Sequence, residues 1–366
     1  MSQKNHRFLI LLVLVLAVVA GGCTTPAATE TAVVTEAPPA ATQAPIVVGG
    51  DTLETVRERG RVICGGNDAV PGFGFLQEDG SFAGFDIDFC KALAAAIFGD
   101  ASKYEIRPVT ATDRFTALQT GEFDVLIRNT TWTLTRDSEL GTNFAATTFY
   151  DGQGMMVRVD SGITTLEELD GATICVLSGT TTELNLADAF ASRGVTYTPL
   201  AFETGDEVAS TYEEGRCDAF TTDKSQLVAR RTVMADPSAH VILDVTMSKE
   251  PLGPVVRHGD DQWYDIVQWV VFATFTAEEF GITSENVDDI RAATTDPTIM
   301  KLLGLEGDMG VKLGLDNDWA YNVIKLVGNY AEIYAANLGP DTPTFIPRGI
   351  NSQYTDGGLL YAPPVR

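Results

Sequence analysis

The sequence predicts an α/β protein made of two similar lobes that close on a ligand like a clamshell, and three observations carry that expectation. Short apolar runs suited to buried strands alternate with helical patterns, and the alternation occurs twice along the chain. In each half one buried run stops at a polar cluster: Val125, Leu126 and Ile127 give way to Arg128-Asn129-Thr130-Thr131, and the run 217–221 stops at Thr222-Asp223. Residues 152–159 offer a crossing between the halves, and 241–245 followed by 251–257 offer the return. In open α/β sheets ligands lie beyond the carboxyl ends of the strands, where loops and helix N-termini present donors. Two polar strand ends facing each other therefore describe a cleft between lobes.

Taken in order, residues 51–58 read as a short amphipathic helix, capped by Asp51 or Thr52 and stopped near Gly60. Residues 61–65 form the first strand. Phe73 and Phe75, in the glycine-rich loop beyond it, either wall a ligand pocket or join the core. Asp79-Gly80 marks a hairpin turn, and 84–98 is the clearest helix, with Asp86 as its cap. A strand at 104–109 and a helix at 114–120 lead into the strand at 125. The polar stretch 128–136 suits a binding loop whose cation is Arg136; it suits equally a hydroxyl-rich loop that caps the next helix, with Arg136 on a solvated face. The second half repeats the pattern, with strands at 173–176, 196–201 and 217–221 and a helix that starts in the SGTTTELN turn at 178–185. Long helices are expected at 263–276 and 319–337, and the Pro- and Gly-rich tail from Pro340 wraps the first lobe.

With 366 residues, 45% of them hydrophobic, the chain is long enough for two domains and a sizeable core. Residues 1–22 read as a secretory leader: Lys4 and Arg7, an apolar run at 8–20, then Ala20-Gly21-Gly22 directly before Cys23. A cysteine in that place resembles the lipidation site of bacterial lipoproteins, with Ala20 standing where leucine is usual, and predicts a lipid anchor on Cys23. The run is short for a membrane span. Residues 23–50, rich in Thr, Ala and Pro, read as a disordered tether. The remainder divides into lobe 1 (51–153), lobe 2 (154–250), and a return segment (251–366) that completes lobe 1 and adds a C-terminal extension.

The formal net charge of -25 becomes -25 - 2 = -27 once Lys4 and Arg7 leave with the leader, which argues against nucleic acid and anionic membrane surfaces as partners. Cys64, Cys90, Cys175 and Cys217 show no CxxC spacing, and the mature chain has only His240 and His258, so no metal site is expected. No cofactor is expected either. An exported chain meets an oxidising compartment. Cys64 lies on the first strand and Cys90 on the helix packed against it, while Cys175 and Cys217 lie on two strands of lobe 2. Bridges Cys64–Cys90 and Cys175–Cys217, each inside one lobe, are expected, with buried free thiols as the alternative.

Arg136, Asp223 and the Thr-rich turns together imply recognition of a zwitterion: a guanidinium grips a carboxylate through two parallel hydrogen bonds, and a carboxylate receives an ammonium. With PGFGF, GFDIDFCKALAAAIFGD, RFTALQTGEFDVLIRNTTWTLTRD, DGATICVLSGTTTELNLAD, GRCDAFTTDKS and SKEPLGPVVRHGDDQW in this order and spacing, the chain resembles the solute-binding proteins of amino-acid ABC transporters. Within the bacterial extracellular solute-binding proteins of family 3 it resembles the general L-amino-acid group. The resemblance implies a type II periplasmic-binding-protein clamshell that acts as a monomer, binds amino acids, meets permease subunits at the membrane and is not an enzyme. It places Arg136 on the α-carboxylate, with Asn129 and Thr131 beside it, Thr181 as a second carboxylate contact and Asp223 on the α-ammonium. It sets Arg114 where relatives that prefer glutamate and aspartate read the side chain. Relatives that prefer other amino acids carry an aromatic ring near position 70 or 111; Val70 and Ala111 stand here, which leaves Phe73 and Phe75 as substitutes. The same fold also carries cyclohexadienyl dehydratases, for which Glu183 or Asp223 would be the general acid, and sensor ectodomains.

Overall fold

Two five-stranded sheets carry the fold, and they share one plan. In lobe 1 the order is Tyr104–Pro108, Val62–Gly66, Val125–Leu126, Val255–Arg257, Thr142–Phe144. The first three strands are parallel and Val255–Arg257 runs against both its neighbours. In lobe 2 the order is Tyr197–Phe202, Ala172–Leu177, Ala219–Asp223, Gln153–Arg158, His240–Ile242, again with three parallel strands and an antiparallel fourth. The fourth strand of each sheet is laid down just after the chain has crossed from the other lobe. At the crossing itself Phe149–Asp151 and Glu250–Leu252 pair antiparallel, with Glu250 opposite Asp151. A two-stranded ribbon of this kind is a hinge. The computed structural model describes residues 50–366. The leader, Cys23 and the tether up to residue 49 lie outside the described residues, among which no helix is long and apolar enough to cross a membrane.

Strand alternation builds the cores on both faces of each sheet. In lobe 1 Val62, Cys64, Val125 and Ile127 enter the larger cluster, whereas Ile63 and Leu126 enter a smaller one with Leu118, Phe123 and Phe144. In lobe 2 Met155, Val157, Ile174 and Ala219 face one cluster, and Met156, Cys175 and Phe220 the other. The sulfurs join Cys64 to Cys90 and Cys175 to Cys217, so each bridge staples one lobe. The larger cluster of lobe 1 is thickened by C-terminal helices: Trp319, Tyr330 and Tyr334 pack with Phe85, Phe89 and Trp263. The tail then returns to the hinge, where the Asn351 side chain bonds both the N–H and the C=O of Tyr150, at 2.7 and 3.0 Å.

Several local expectations change. The helix expected at 319–337 is two, Trp319–Leu326 and Tyr330–Leu338, because Gly328 adopts φ +112° and Asn329 opens the second with a capping box to Glu332. Asp51 makes no side-chain cap; the N–H of Thr52 is taken instead by Asp260 at 3.1 Å. The helix Phe85–Phe98 begins after Gly84, and Asp86, expected as its cap, reaches the binding loop. Phe73 is fully buried against Phe85 and Phe149 at ring separations of 5.9 and 5.3 Å, so it belongs to the core and not to the cleft. Burying a whole ring there releases more free energy than half-covering it on a rim.

Candidate functional site

The strand Val125–Leu126 ends in a loop whose backbone is bent at Asn129, with φ +39°, alone among the described non-glycine residues in being positive. Two hydrogen bonds hold it there. The Asn129 N–H donates to Asp86 Oδ2 at 2.9 Å, and its side-chain oxygen accepts from Asn67 Nδ2 at 2.8 Å. Its Nδ2 is buried with no partner. Burial pushes the Asp86 carboxyl up to about 7, against the pull of the Asn129 N–H and the Arg128 charge. Further along, Thr133 caps the helix Leu134–Ser138, and Arg136 on that helix is buried, with Nη1 donating to the Thr131 carbonyl at 2.9 Å. The solvated-face reading of Arg136 is thereby overturned.

Three guanidinium groups of lobe 1 gather behind this loop. Arg114, which opens the helix Arg114–Gln119, is 2% exposed and its Nε has no partner. Arg114 and Arg136 both lie over the Phe115 ring, at 5.1 and 5.2 Å. Arg128 donates Nε to the Val109 carbonyl at 2.7 Å. Burial above all, then the charges of Arg136 and Arg128, pull the Arg114 guanidinium well below its ordinary value, with Asp223 opposing. Arg128 falls to about 10 through burial and the charge of Arg230. These cations have too few anions inside their own lobe.

The anions stand opposite. Asp223, at the end of its strand, is 3% exposed; Oδ2 accepts from Gln226 Nε2 at 2.9 Å and Oδ1 is buried without a partner. Burial, then Asp151 and Glu250, raise its carboxyl well above the usual range. Glu250, in the hinge and 1% exposed, accepts from Thr181 Oγ1 at 2.9 Å and Asn185 Nδ2 at 2.7 Å. Asp151, its hinge neighbour, is lifted to about 6 by burial.

Arg114, Arg128, Asn129, Thr131, Thr181 and Asp223 line one inner chamber of about 20 Å³. That is room for a water or two, so an organic ligand must part the lobes. The present closure rests on contacts across the cleft: Thr131 to Thr181 at 3.3 Å, Arg114 Nη2 to the Gly179 carbonyl at 3.4 Å, and Thr112 to Glu203 at 3.1 Å. Arg136 faces a neighbouring compartment of about 580 Å³ that shares Thr181 with the chamber. Phe75, 38% exposed, faces a third of about 660 Å³ that shares Arg128. Trp132 stacks on Phe144 at 5.6 Å, away from the chamber. Sequence reasoning passed over Arg128, Gln226, Glu250 and Asp151. Arg128 opens the polar run and carried a signal; Glu250 and Asp151 acquire their place only from the pairing of two distant strands.

The model for bacterial extracellular solute-binding proteins, family 3, matches residues 62–282. The chain belongs to that family. It is 53% identical over 317 residues to the general L-amino acid-binding periplasmic protein AapJ of Rhizobium johnstonii, covering 86% of this chain and 93% of that one. It is 50% identical over 315 residues to the glutamate/glutamine/aspartate/asparagine-binding protein BztA of Rhodobacter capsulatus, with the same coverage of 86% and 93%. A periplasmic binding protein from Brucella ovis, solved with glutathione bound, is 48% identical with a TM-score of 0.85, over 87% of this chain and 100% of that one. The two-lobed type II architecture is that of this family.

Proposed function

We propose that the protein is an extracytoplasmic receptor, held to the membrane by a lipid on Cys23, that captures polar L-amino acids and delivers them to an ABC permease. The observation that carries this reading is the set of unpartnered buried atoms around one chamber: the donors Arg114 Nε and Asn129 Nδ2 and the acceptor Asp223 Oδ1. A buried polar atom without a partner is costly, and a bound ligand that supplies the complement removes that cost. Arg136, with the hydroxyls of Thr131 and Thr181, takes the α-carboxylate; Asp223 takes the α-ammonium; Arg114 and Asn129 read the end of the side chain. A cationic wall from lobe 1 against an anionic floor from lobe 2 and the hinge suits a zwitterion with a second carboxylate or an amide, so Glu, Gln, Asp and Asn lead. BztA, named for glutamate, glutamine, aspartate and asparagine, supports that preference, and AapJ, named for L-amino acids in general, supports the clamp.

Closure strengthens these contacts because it excludes water from the charges, so only a liganded cleft closes firmly and presents the closed form to the permease. Calorimetric titration with all twenty amino acids tests the preference, and a ranking led by Lys, Arg or Leu overturns it. The anchor is tested by fractionation: Cys23→Ser releases the protein from membranes. Catalysis has little to work with in the chamber, whose lining offers one carboxylate, Asp223, and no His, Cys, Ser or Lys; turnover of prephenate or arogenate would reverse that conclusion.

A further inference from the structure

We propose that Glu250, in the hinge, is a built-in rival of the ligand's α-carboxylate: it holds the Thr181 hydroxyl that the ligand needs, and so sets how tightly every amino acid binds. The proposal rests on the amino-acid clamp described above and adds the residue that tunes it. A threonine hydroxyl has a single hydrogen to give. Thr181 Oγ1 donates it to Glu250 Oε2 at 2.9 Å. Thr131 Oγ1 lies 3.3 Å from the same threonine oxygen, and with the Thr181 hydrogen spent it is Thr131 that donates. The two hydroxyls assigned to the carboxylate therefore form a chain that runs from lobe 1 through lobe 2 to the hinge. Neither keeps a hydrogen for a ligand while Glu250 holds the end of the chain.

The surroundings of Glu250 suit an exchange of this kind. It is buried and lines neither the inner chamber nor the compartment that Arg136 faces, whereas Thr181 lines both, so Glu250 acts on a ligand through Thr181. Burial pulls the Arg136 guanidinium down, and the charge that opposes this most strongly is that of Glu250. The hinge thus already offers a negative charge to the arginine of the clamp. Its other oxygen, Oε1, accepts from Asn185 Nδ2 at 2.7 Å and from Ser248 Oγ. Those donors stay with Glu250 when Thr181 turns away, so the exchange costs the buried carboxylate one hydrogen bond and does not leave it bare. Glu250→Gln reverses the polarity of the contact at nearly unchanged shape. The amide oxygen keeps Asn185 and Ser248, which turns the amide N–H groups toward Thr181 Oγ1 and frees the threonine hydrogen for the ligand.

Titration calorimetry on the purified mature protein with L-glutamate and L-glutamine tests this. Glu250→Gln binds both about fivefold more tightly, and the gain is lost in a Thr181→Val background, where there is no hydroxyl to release. A residue that only braced the hinge would give the opposite sign. Weaker or unchanged binding by a folded Glu250→Gln protein overturns the proposal, as does a gain that survives Thr181→Val. A crystal structure of the unaltered protein with L-glutamate keeps the test valid if Glu250→Gln disturbs folding: Thr181 Oγ1 contacts the ligand's α-carboxylate and lies out of hydrogen-bond reach of Glu250. A Thr181 still bonded to Glu250 while Arg136 holds the carboxylate overturns this inference alone. A carboxylate that Arg136 does not hold, or failure of the unaltered protein to bind either amino acid, overturns the clamp as well.

Discussion

The two lobes share a strand order and differ in what they do with charge. Lobe 1 holds three buried or half-buried guanidinium groups, Arg114, Arg128 and Arg136, and few carboxylates reach them from the same lobe. Lobe 2 and the hinge hold the complementary excess in Asp223, Asp151 and Glu250. Each set keeps a buried atom without a partner where the fold puts it, Arg114 Nε in the first and Asp223 Oδ1 in the second. A dimension of the same asymmetry is mass: C-terminal helices thicken the lobe 1 core, whereas lobe 2 rests on two modest clusters. The difference teaches that a duplicated scaffold becomes a receptor when each copy is left electrostatically incomplete, because the ligand then supplies what closure alone does not.

The largest effect is expected from breaking the complementarity at its shared points. Arg136→Lys keeps the charge and loses the bidentate fork, and Asp223→Asn removes the counter-charge for the ammonium. Each should weaken every amino acid by a similar factor, on the order of 2 to 5 kcal/mol. Titration of the full ligand panel checks it; reshuffled preference with the best affinity intact would assign these residues to the side chain and reverse the orientation of the ligand.

Next in size are the disulfides, which compare the lobes as folded bodies. The bridges span 26 and 42 residues, and in the chain-entropy model loops of that length contribute roughly 3 to 4 kcal/mol each. Serine pairs at Cys175 and Cys217 should lower the melting temperature more than pairs at Cys64 and Cys90, since the smaller lobe has less core to fall back on. Equal losses would mean that the C-terminal helices add nothing to the resilience of lobe 1.

How much of this was legible beforehand divides along the same physical line. Short continuous apolar runs, the polar run after Ile127 and the Asp223 strand end are local patterns, and the sheets, both bridges and the facing polar strand ends followed from them. What escaped depended on partners far away in sequence. Asp86 looked like a helix cap and instead holds the Asn129 backbone, 43 residues on. Phe73 and Phe75 are two residues apart, yet one fills the core and the other lines the outer compartment, because Phe73 lies in the turn before the strand Gly74–Leu76 and only Phe75 lies within it. Glu250 gave no sign at all, since its role comes from a crossing 99 residues after Asp151.

A third test sharpens the division of labour within lobe 1. Arg114→Ala should cost Glu, Asp, Gln and Asn on the order of 1 to 3 kcal/mol and leave ligands without a polar side chain nearly unchanged, because only the former pair with the guanidinium. The ranking, not the general affinity, is the quantity to measure. Uniform weakening across the panel would make Arg114 a support for the clamp.

The smallest effect is in pH, and its sign follows from the buried carboxyls of the anionic side. Asp151 is raised to about 6 and Asp223 is raised further by burial and by its acidic neighbours, so the folded protein holds protons that the unfolded chain releases near pH 4. Their contribution to stability is therefore present below about pH 4 and is lost as pH climbs through 6. Exposed carboxylates held low by local hydrogen bonds, such as Asp79, Glu168 and Asp170, act in the opposite sense, so the melting temperature moves little. Binding exposes the buried set alone. An α-ammonium placed at Asp223 favours the ionised carboxylate, so ligand uptake by the protonated protein should release protons, and affinity should rise as pH climbs through the range in which the buried carboxyl ionises. Calorimetry in buffers of different ionisation heat reads the release directly, and Asp223→Asn should reduce it sharply. Proton-neutral binding across that range would place the ammonium somewhere other than Asp223, and with it the division of cation and anion between the lobes would lose its function.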